Sequence, residues 1–281
     1  MTLYLVATPI GNLEDISLRA LRILKECDRI ACEDTRHSRK LLSHYDIHKP
    51  LLSFHAHSGP ERAAHFVSIL QSGESIAFIS DAGMPGISDP GAELVIACRR
   101  AGIDVIAIPG ASALPVALAL AGTLDNRFIF EGFLPVGSAR KARLAALAQE
   151  LRPVVLFEAP HKLLSTLRDL IALGEPTRQI TCCRELTKIH EQVWVGSLAE
   201  ALTYFESTAP RGEFTLVLAG ATPSGPEPPS QAQLLLSIRQ LLEAGFSRSE
   251  ACKQLAQQTG LPRRELYQLS LELENSGASE P

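Results

Sequence analysis

The sequence predicts an α/β protein built as two successive α/β domains with a small helical domain at the C-terminal end. Three observations predict it. Residues 1–122 alternate short apolar runs with amphipathic stretches, the pattern of a mostly parallel sheet covered on both faces. A second set of strands occupies 123–221. After the segment ATPSGPEPPSQ (221–231), whose four prolines make it a semi-rigid linker, three short amphipathic helices fill 232–275.

In chain order, TLYLVA, RIAC, PLLSF, SIAFIS and DVIAIP are the expected strands of the first half. The helices between them are SLRALRILKEC, TRHSRKLLSHY, ERAAHFVSILQSG, residues 90–101 and SALPVALALAG. Ser17 is the expected N-cap of the first helix, with Leu18, Leu21 and Leu24 on one face. In the fourth, Asp89 is expected to cap, Pro90 fits the first helical position and Gly102 ends the helix. The pattern breaks near GTLDN (122–126). RFIFEGFLP, PVVLFEA, RQITCCREL, QVWVG and EFTLVLAG then read as strands, with helices at 138–151, 160–173 and 198–206. In the tail, Ser247 and Glu250 form a capping box. Its outline is that of a helix-turn-helix bundle, and a packing or dimerisation appendage is an equal reading.

The chain has 281 residues, 46% hydrophobic and 21% charged, with a net charge of −4. No window reaches the roughly 18 apolar residues of a membrane span, and the N-terminus lacks the form of a signal peptide, so no membrane is expected and the location is expected to be cytoplasmic. The six cysteines contain no C-x-x-C pair, which favours reduced buried thiols. His55 and His57 lack further ligands at zinc spacing, so no metal is expected. A net acidic chain argues against wholesale electrostatic nucleic-acid binding but leaves room for a local basic face.

Three loops carry unusual turn chemistry: ATPIGN (7–12), SDAGMPGISDPG (80–91) and IPGASA (108–113). Each follows a strand, at the sheet edge where open α/β folds bind ligands. Glycines let a backbone approach a ligand, and free N–H groups at a helix start hold polar atoms. Asp81, directly after a strand, is placed to accept hydrogen bonds from a ribose or an amino group. Neither G-x-G-x-x-G nor G-x-x-x-x-G-K-[ST] occurs in these loops, so a standard dinucleotide or triphosphate site is unsupported. CEDTRHSRK (32–40), EAPHKL (158–163) and CRELTKIHE (183–191) bring charge to other strand ends. If both halves share a cleft, Arg36, Lys40, His55, Lys162, Arg184 and Lys188 could line one basic face suited to a polyanion such as RNA.

Taken in order, VATPIGNLEDIS, EDTR, SDAGMPGISDPG, IPGASA, EAPHKL, RELTK-IHE and GEFTLVLAG resemble the ribosomal RNA small subunit methyltransferase I family of the tetrapyrrole methylase superfamily. The resemblance runs from residue 3 to about 220, and the tail is similar to that family's C-terminal helical domain. It implies two α/β domains of tetrapyrrole-methylase type holding S-adenosylmethionine as methyl donor, in a homodimer. It also implies methylation of a cytidine ribose 2′-hydroxyl in small-subunit ribosomal RNA, free or in the assembled subunit. Carried over by motif, Pro9, Asp81, Gly83, Met84, Ser112 and Ala113 would contact the donor from the first domain, and Phe157, Ala159 and Glu213 from the second. Met84 stands where the family usually has threonine, and Lys162 where arginine is commoner.

Transfer to a ribose oxygen also needs help with the hydroxyl proton. Glu33, Asp34 and His55 are the candidates, with Arg36, Lys40, Lys162, Arg184 and Lys188 holding substrate phosphate. Two other readings stand beside this one. A tetrapyrrole C-methyltransferase would share the donor site, since fold alone does not select a substrate, though EDTR and RELTK favour RNA. A non-enzymatic RNA-binding adaptor using the tail and RKAR (140–143) would have no use for a donor pocket.

Overall fold

The structure is a computed structural model and describes residues 1–55, 58–123, 126–222 and 230–276. His57, parts of the expected break at 122–126 and most of the expected linker at 221–231 lie outside the described residues. The chain divides into two compact units, 1–221 and 222–281.

The first sheet contains β1 (Thr2–Val6), β2 (Arg29–Cys32), β3 (Leu51–Ser53), β4 (Ile76–Ile79) and β5 (Asp104–Ile108). Its order is β3-β2-β4-β1-β5, and each pairing is parallel. The period-two alternation of a strand splits β4 between two cores. Ala77 and Ile79 pack with Ala20, Ile23 and Leu24 on one face, while Ile76 and Phe78 pack with Phe54, Phe66 and Leu94 on the other. The covering helices are α1 (Leu18–Glu26), α2 (Thr35–His44), α3 (Gly59–Gln71) and α4 (Ala92–Arg100). Ser17 caps α1, its hydroxyl accepting from the Ala20 N–H. The buried stripe of α1 is Ala20, Ile23 and Leu24 with Leu21 packed beside it, and Leu18 is 86% exposed, so the expected leucine face keeps Leu21 and Leu24 and loses Leu18.

The fifth helix, α5 (Ala113–Ala121), leaves the first sheet and packs on the second. That sheet holds β6 (Ile129–Phe133), β7 (Val154–Glu158), β8 (Gln179–Arg184), β9 (Gln192–Ser197) and β10 (Phe214–Leu218), ordered β6-β7-β10-β8-β9. Only β6–β7 among these pairings is parallel. One face packs Leu156 and Leu216 with Leu144 of α6 (Gly137–Ala148), Leu167 of α7 (Pro160–Leu173) and Phe205 of α8 (Leu198–Ser207). The other buries Val155, Cys183 and Val217 against Ala117 of α5. This position as the joint between the halves accounts for Ala117, Leu114, Val116 and Leu118 of ALPVALALA, whereas Leu120 is exposed. Arg178, 5% exposed, is held inside by donating to the carbonyls of Ala219, Leu147 and Glu150.

In the second unit α9 (Gln231–Glu243), α10 (Arg248–Thr259) and α11 (Arg263–Ser276) enclose Leu234, Ile238, Cys252, Leu255 and Leu266. The Ser247–Glu250 capping box forms at the start of α10. All six cysteines are free and buried. No helix among the described residues is long and apolar enough to cross a membrane.

Candidate active site

Strand order assembles the site. Because β1 lies between β4 and β5, the three glycine-bearing loops emerge side by side. Thr8 and Gly83 zip the first two together, each N–H donating to the other's carbonyl at 2.9 and 3.1 Å. The Thr8 hydroxyl donates to the Ser80 carbonyl at 3.2 Å. In the second sheet the antiparallel register puts Phe214 beside both Glu158 and Arg184, so the loops at 159, 185–191 and 211–213 share one edge. The Asn12 N–H donates to the Thr187 hydroxyl at 3.0 Å, tying the two edges into one cleft.

At its centre is a cavity of about 370 Å³ whose wall includes Asp81, Gly83, Met84, Ser112 and Ala113 from the first sheet's loops. Phe157, Ala159 and Glu213 close it from the second. Pro9 lines an adjoining cavity of about 330 Å³ that shares Asp81 and Glu213. Ser112 sits at the N-cap of α5 without a side-chain capping bond, so its hydroxyl is left to the cavity. Behind the wall, Glu158 is 4% exposed and accepts from the Ala159 N–H and the Thr166 hydroxyl. It fixes the start of α7.

One Asp81 carboxylate oxygen is buried in this cleft without a hydrogen-bond partner. A buried acceptor of that kind calls for an explanation, and a donor on a bound molecule supplies one.

The expected substrate-binding cations separate. Lys40 and Lys188 line the adjoining cavity, together with His37. Lys188 donates to Glu185 and Glu213, both at 2.9 Å. Burial opposes its charge, but the bonds to Glu213 and Glu185 outweigh burial and raise its pKa. Arg36 is 87% exposed and pairs with Asp34, Arg184 donates to the Arg211 carbonyl, and Lys162 sits in the first turn of α7. These three are not among the residues of the cavity walls described.

The acid–base candidates separate as well. Glu33 and His55 line a third cavity of about 480 Å³. Asp34 is the N-cap of α2, accepting from the Arg36 N–H at 2.8 Å. Its pKa is lowered by the Arg36 side chain and then by that backbone bond, which suits a cap better than a base.

The expected cap of α4 is overturned. Asp89 does not cap α4: the helix starts at Ala92 behind Gly91, with no side-chain cap. The Asp-Pro pair instead continues the loop, and Asp89 lines both the central and the third cavity. Sequence reasoning missed Asp89, His37 and Phe133 as cleft residues. Asp-Pro before an apolar run is the ordinary signature of a helix start, and nothing local reveals that Gly91 takes the cap position. Among the described residues no group of three or more His, Cys, Asp or Glu is arranged to hold a metal.

The fold and the cleft define a methyltransferase of the tetrapyrrole-methylase type. Residues 2–202 match the family described as Tetrapyrrole (Corrin/Porphyrin) Methylases, and 229–274 match the RsmI C-terminal HTH domain. Among solved structures, the uroporphyrin-III-C-methyltransferase of Thermus thermophilus aligns with TM-score 0.56 and 22% identity over 78% of this chain and 94% of its own. A diphthine synthase aligns with TM-score 0.57 and 16% identity over 78% and 90%. Both likenesses concern the fold. Curated relatives named Ribosomal RNA small subunit methyltransferase I are much nearer. The one from Synechocystis sp. is 52% identical over 98% of this chain and 99% of its own, and that from Pseudomonas aeruginosa 44% over 96% and 97%. The relative in Thermotoga maritima is 48% identical over 78% of this chain and 98% of its own. The chain belongs to the ribosomal RNA small subunit methyltransferase I family. It is an S-adenosylmethionine-dependent methyltransferase.

Proposed function

We propose that this enzyme methylates the ribose 2′-hydroxyl of a cytidine in small-subunit ribosomal RNA, working in the cytoplasm as a homodimer on free RNA or the assembled subunit. The names of its relatives support the RNA. The structural observation that carries the reading is the meeting of two unlike cavities at Asp81. One is walled by Met84, Ala113 and Phe157, and the other by His37, Lys40 and Lys188. Alongside the second, α2 exposes Arg36, His37, Arg39 and Lys40, a basic strip that suits phosphates. We also read 1–122, 123–221 and 232–275 as the three domains.

The residues present fit S-adenosylmethionine. Asp81 would accept a hydrogen bond from the donor's polar groups, Gly83 and the Ser112–Ala113 turn would present backbone, and Met84, Phe157 and Ala159 would cover apolar surface. When bound, the donor supplies an electrophilic methyl and its own leaving group, so the protein's share is alignment, exclusion of water and handling of one proton. Loops fixed by the Thr8–Gly83 and Asn12–Thr187 bonds hold the walls in place, and Lys40 and His37 would hold the nucleotide's phosphates.

The test uses small-subunit particles from cells lacking the protein, incubated with it and methyl-labelled donor. Label in a single alkali-resistant cytidine-containing dinucleotide is expected. Label in a corrin or porphyrin precursor and none in RNA would overturn the reading. Light scattering at twice the monomer mass is the expected result for the dimer.

A further inference from the structure

We propose that Asp89 is a catalytic residue of this enzyme, the acceptor of the ribose hydroxyl proton. The inference rests on the substrate reading above and goes beyond it. Its first support is position. Ser88 and Asp89 form the wall common to the central cavity, where the donor residues converge, and the outer cavity lined by Glu33 and His55. Glu33 and His55 border the outer cavity alone. A ribose oxygen in line with a methyl held in the central cavity approaches through one of that cavity's shared walls. The wall toward His37 and Lys40 carries Asp81, read above as the donor's anchor, and Glu213, which is tied to Lys188. That leaves Asp89 as the acid on the wall toward Glu33 and His55.

The loop is built to hold that position. Ser88 has a left-handed φ of 59° and Gly91 a φ of 139°. A Cβ on Gly91 would stand 2.6 Å from Phe78 Cε1, and a Cβ on Gly132 of β6 would stand 2.6 Å from the Ser88 hydroxyl. The loop is thus clamped between the two sheets, and non-glycine strain of this kind persists where the surroundings over-determine it.

Electrostatics agree with the position. Burial, then repulsion from Glu33 and from Asp81, pushes the Asp89 carboxyl up to about 6, a rise that a hydrogen bond from Ser80 only partly offsets. The other ionisable groups on the two cavities are His55 and Glu93 outside, and Glu158, Glu213 and the Cys183 thiol inside, the last pushed up by burial. A carboxylate whose pKa lies near the working pH is a better proton acceptor than one at its ordinary value. In the step itself the hydroxyl proton passes to an Asp89 oxygen as an oxygen lone pair forms the O–CH₃ bond. The CH₃–S bond breaks with its electron pair going to sulfur, turning sulfonium into thioether, and the new carboxylic acid returns its proton to water.

The experiment is single-turnover methyl transfer to small-subunit particles by wild type, Asp89→Asn and Asp89→Glu across pH 5 to 9, with donor binding measured by calorimetry on each. Wild type is expected to gain rate with pH and level off above an apparent pKa near 6. Asp89→Asn is expected to lose about a hundredfold and the pH-dependent rise while binding donor within about threefold of wild type, with Asp89→Glu recovering part of the rate. An Asp89→Asn enzyme within threefold of wild type, or with an unchanged pH profile, would overturn the assignment, as would an equal loss of rate and donor affinity. A wild type that labels no RNA would instead remove the substrate reading, and this assignment with it.

Discussion

Asp81 and Asp89 sit eight positions apart in one loop and do opposite things with their carboxylates. Asp81 keeps one oxygen buried and unpartnered, so its value is realised on binding. Asp81→Ala is expected to weaken S-adenosylmethionine binding about ten- to hundredfold, or ~1.5–3 kcal/mol for a hydrogen bond to a charged group, with folding stability nearly unchanged. Calorimetry and a urea melt together check both halves. Asp89 carries a cost in the folded state, because its pKa is raised to about 6 chiefly by burial. The folded chain therefore holds the Asp89 proton longer than the unfolded one. The stabilising proton is fully present below about pH 4 and lost as pH climbs to 6, after which the penalty is constant. Asp89→Asn should raise stability at pH 7 by about 2 kcal/mol, after allowance for partial exposure, and the gain should vanish near pH 4. A more stable, slower enzyme is the expected trade at such a residue.

At the scale of elements, the bend in β6 decides where that loop rests. The register shifts between Phe130 and Gly132, a bulge of the kind that re-aims side chains beside functional sites. Gly132 has a φ of 65°, and a side chain there would meet Ser88. Gly132→Ala is expected to cost about 1–2 kcal/mol in backbone strain. By shifting Ser88 and Asp89 it should slow single-turnover transfer at least tenfold, more than it weakens donor binding. Elements were the most legible level of the sequence. The ten strands among the described residues follow from apolar runs bounded by turn residues, and the glycine loops from their place after β1, β4 and β5. What a sequence conceals is which distant groups meet. Lys188 reads as a cation for phosphate but has Glu185 and Glu213 at hand. Lys162, Arg36 and Arg184 read as one face with Lys40, yet no local pattern encodes the angle between α7, α2 and β8. Asp89 reads as a cap because capping is the commonest fate of Asp before Pro.

For the whole molecule, each compact unit has a core of its own. The buried clusters within 1–221 draw on that unit, and the cluster of Leu234, Ile238, Cys252, Leu255 and Leu266 is contained in the tail. A chain ending at Ala221 is expected to fold with a melting temperature within a few degrees of the full protein and to bind S-adenosylmethionine within about threefold. Loss of methyl transfer to ribosomal particles with donor binding intact would assign the tail to substrate engagement. Scanning calorimetry and single-turnover assays on the shortened chain check this.

The order of the first sheet also sets a timetable for synthesis. β1 leaves the ribosome before the other strands of its sheet, yet its two neighbours are β4 and β5, and Thr2 pairs with Asp104. About a hundred further residues must be made before both edges of β1 are covered, roughly 5–20 s at the usual pace of translation. During that interval TLYLV is an apolar strand with two open edges. The newborn chain is therefore expected to depend on protection at the ribosome's exit until β4 and β5 arrive.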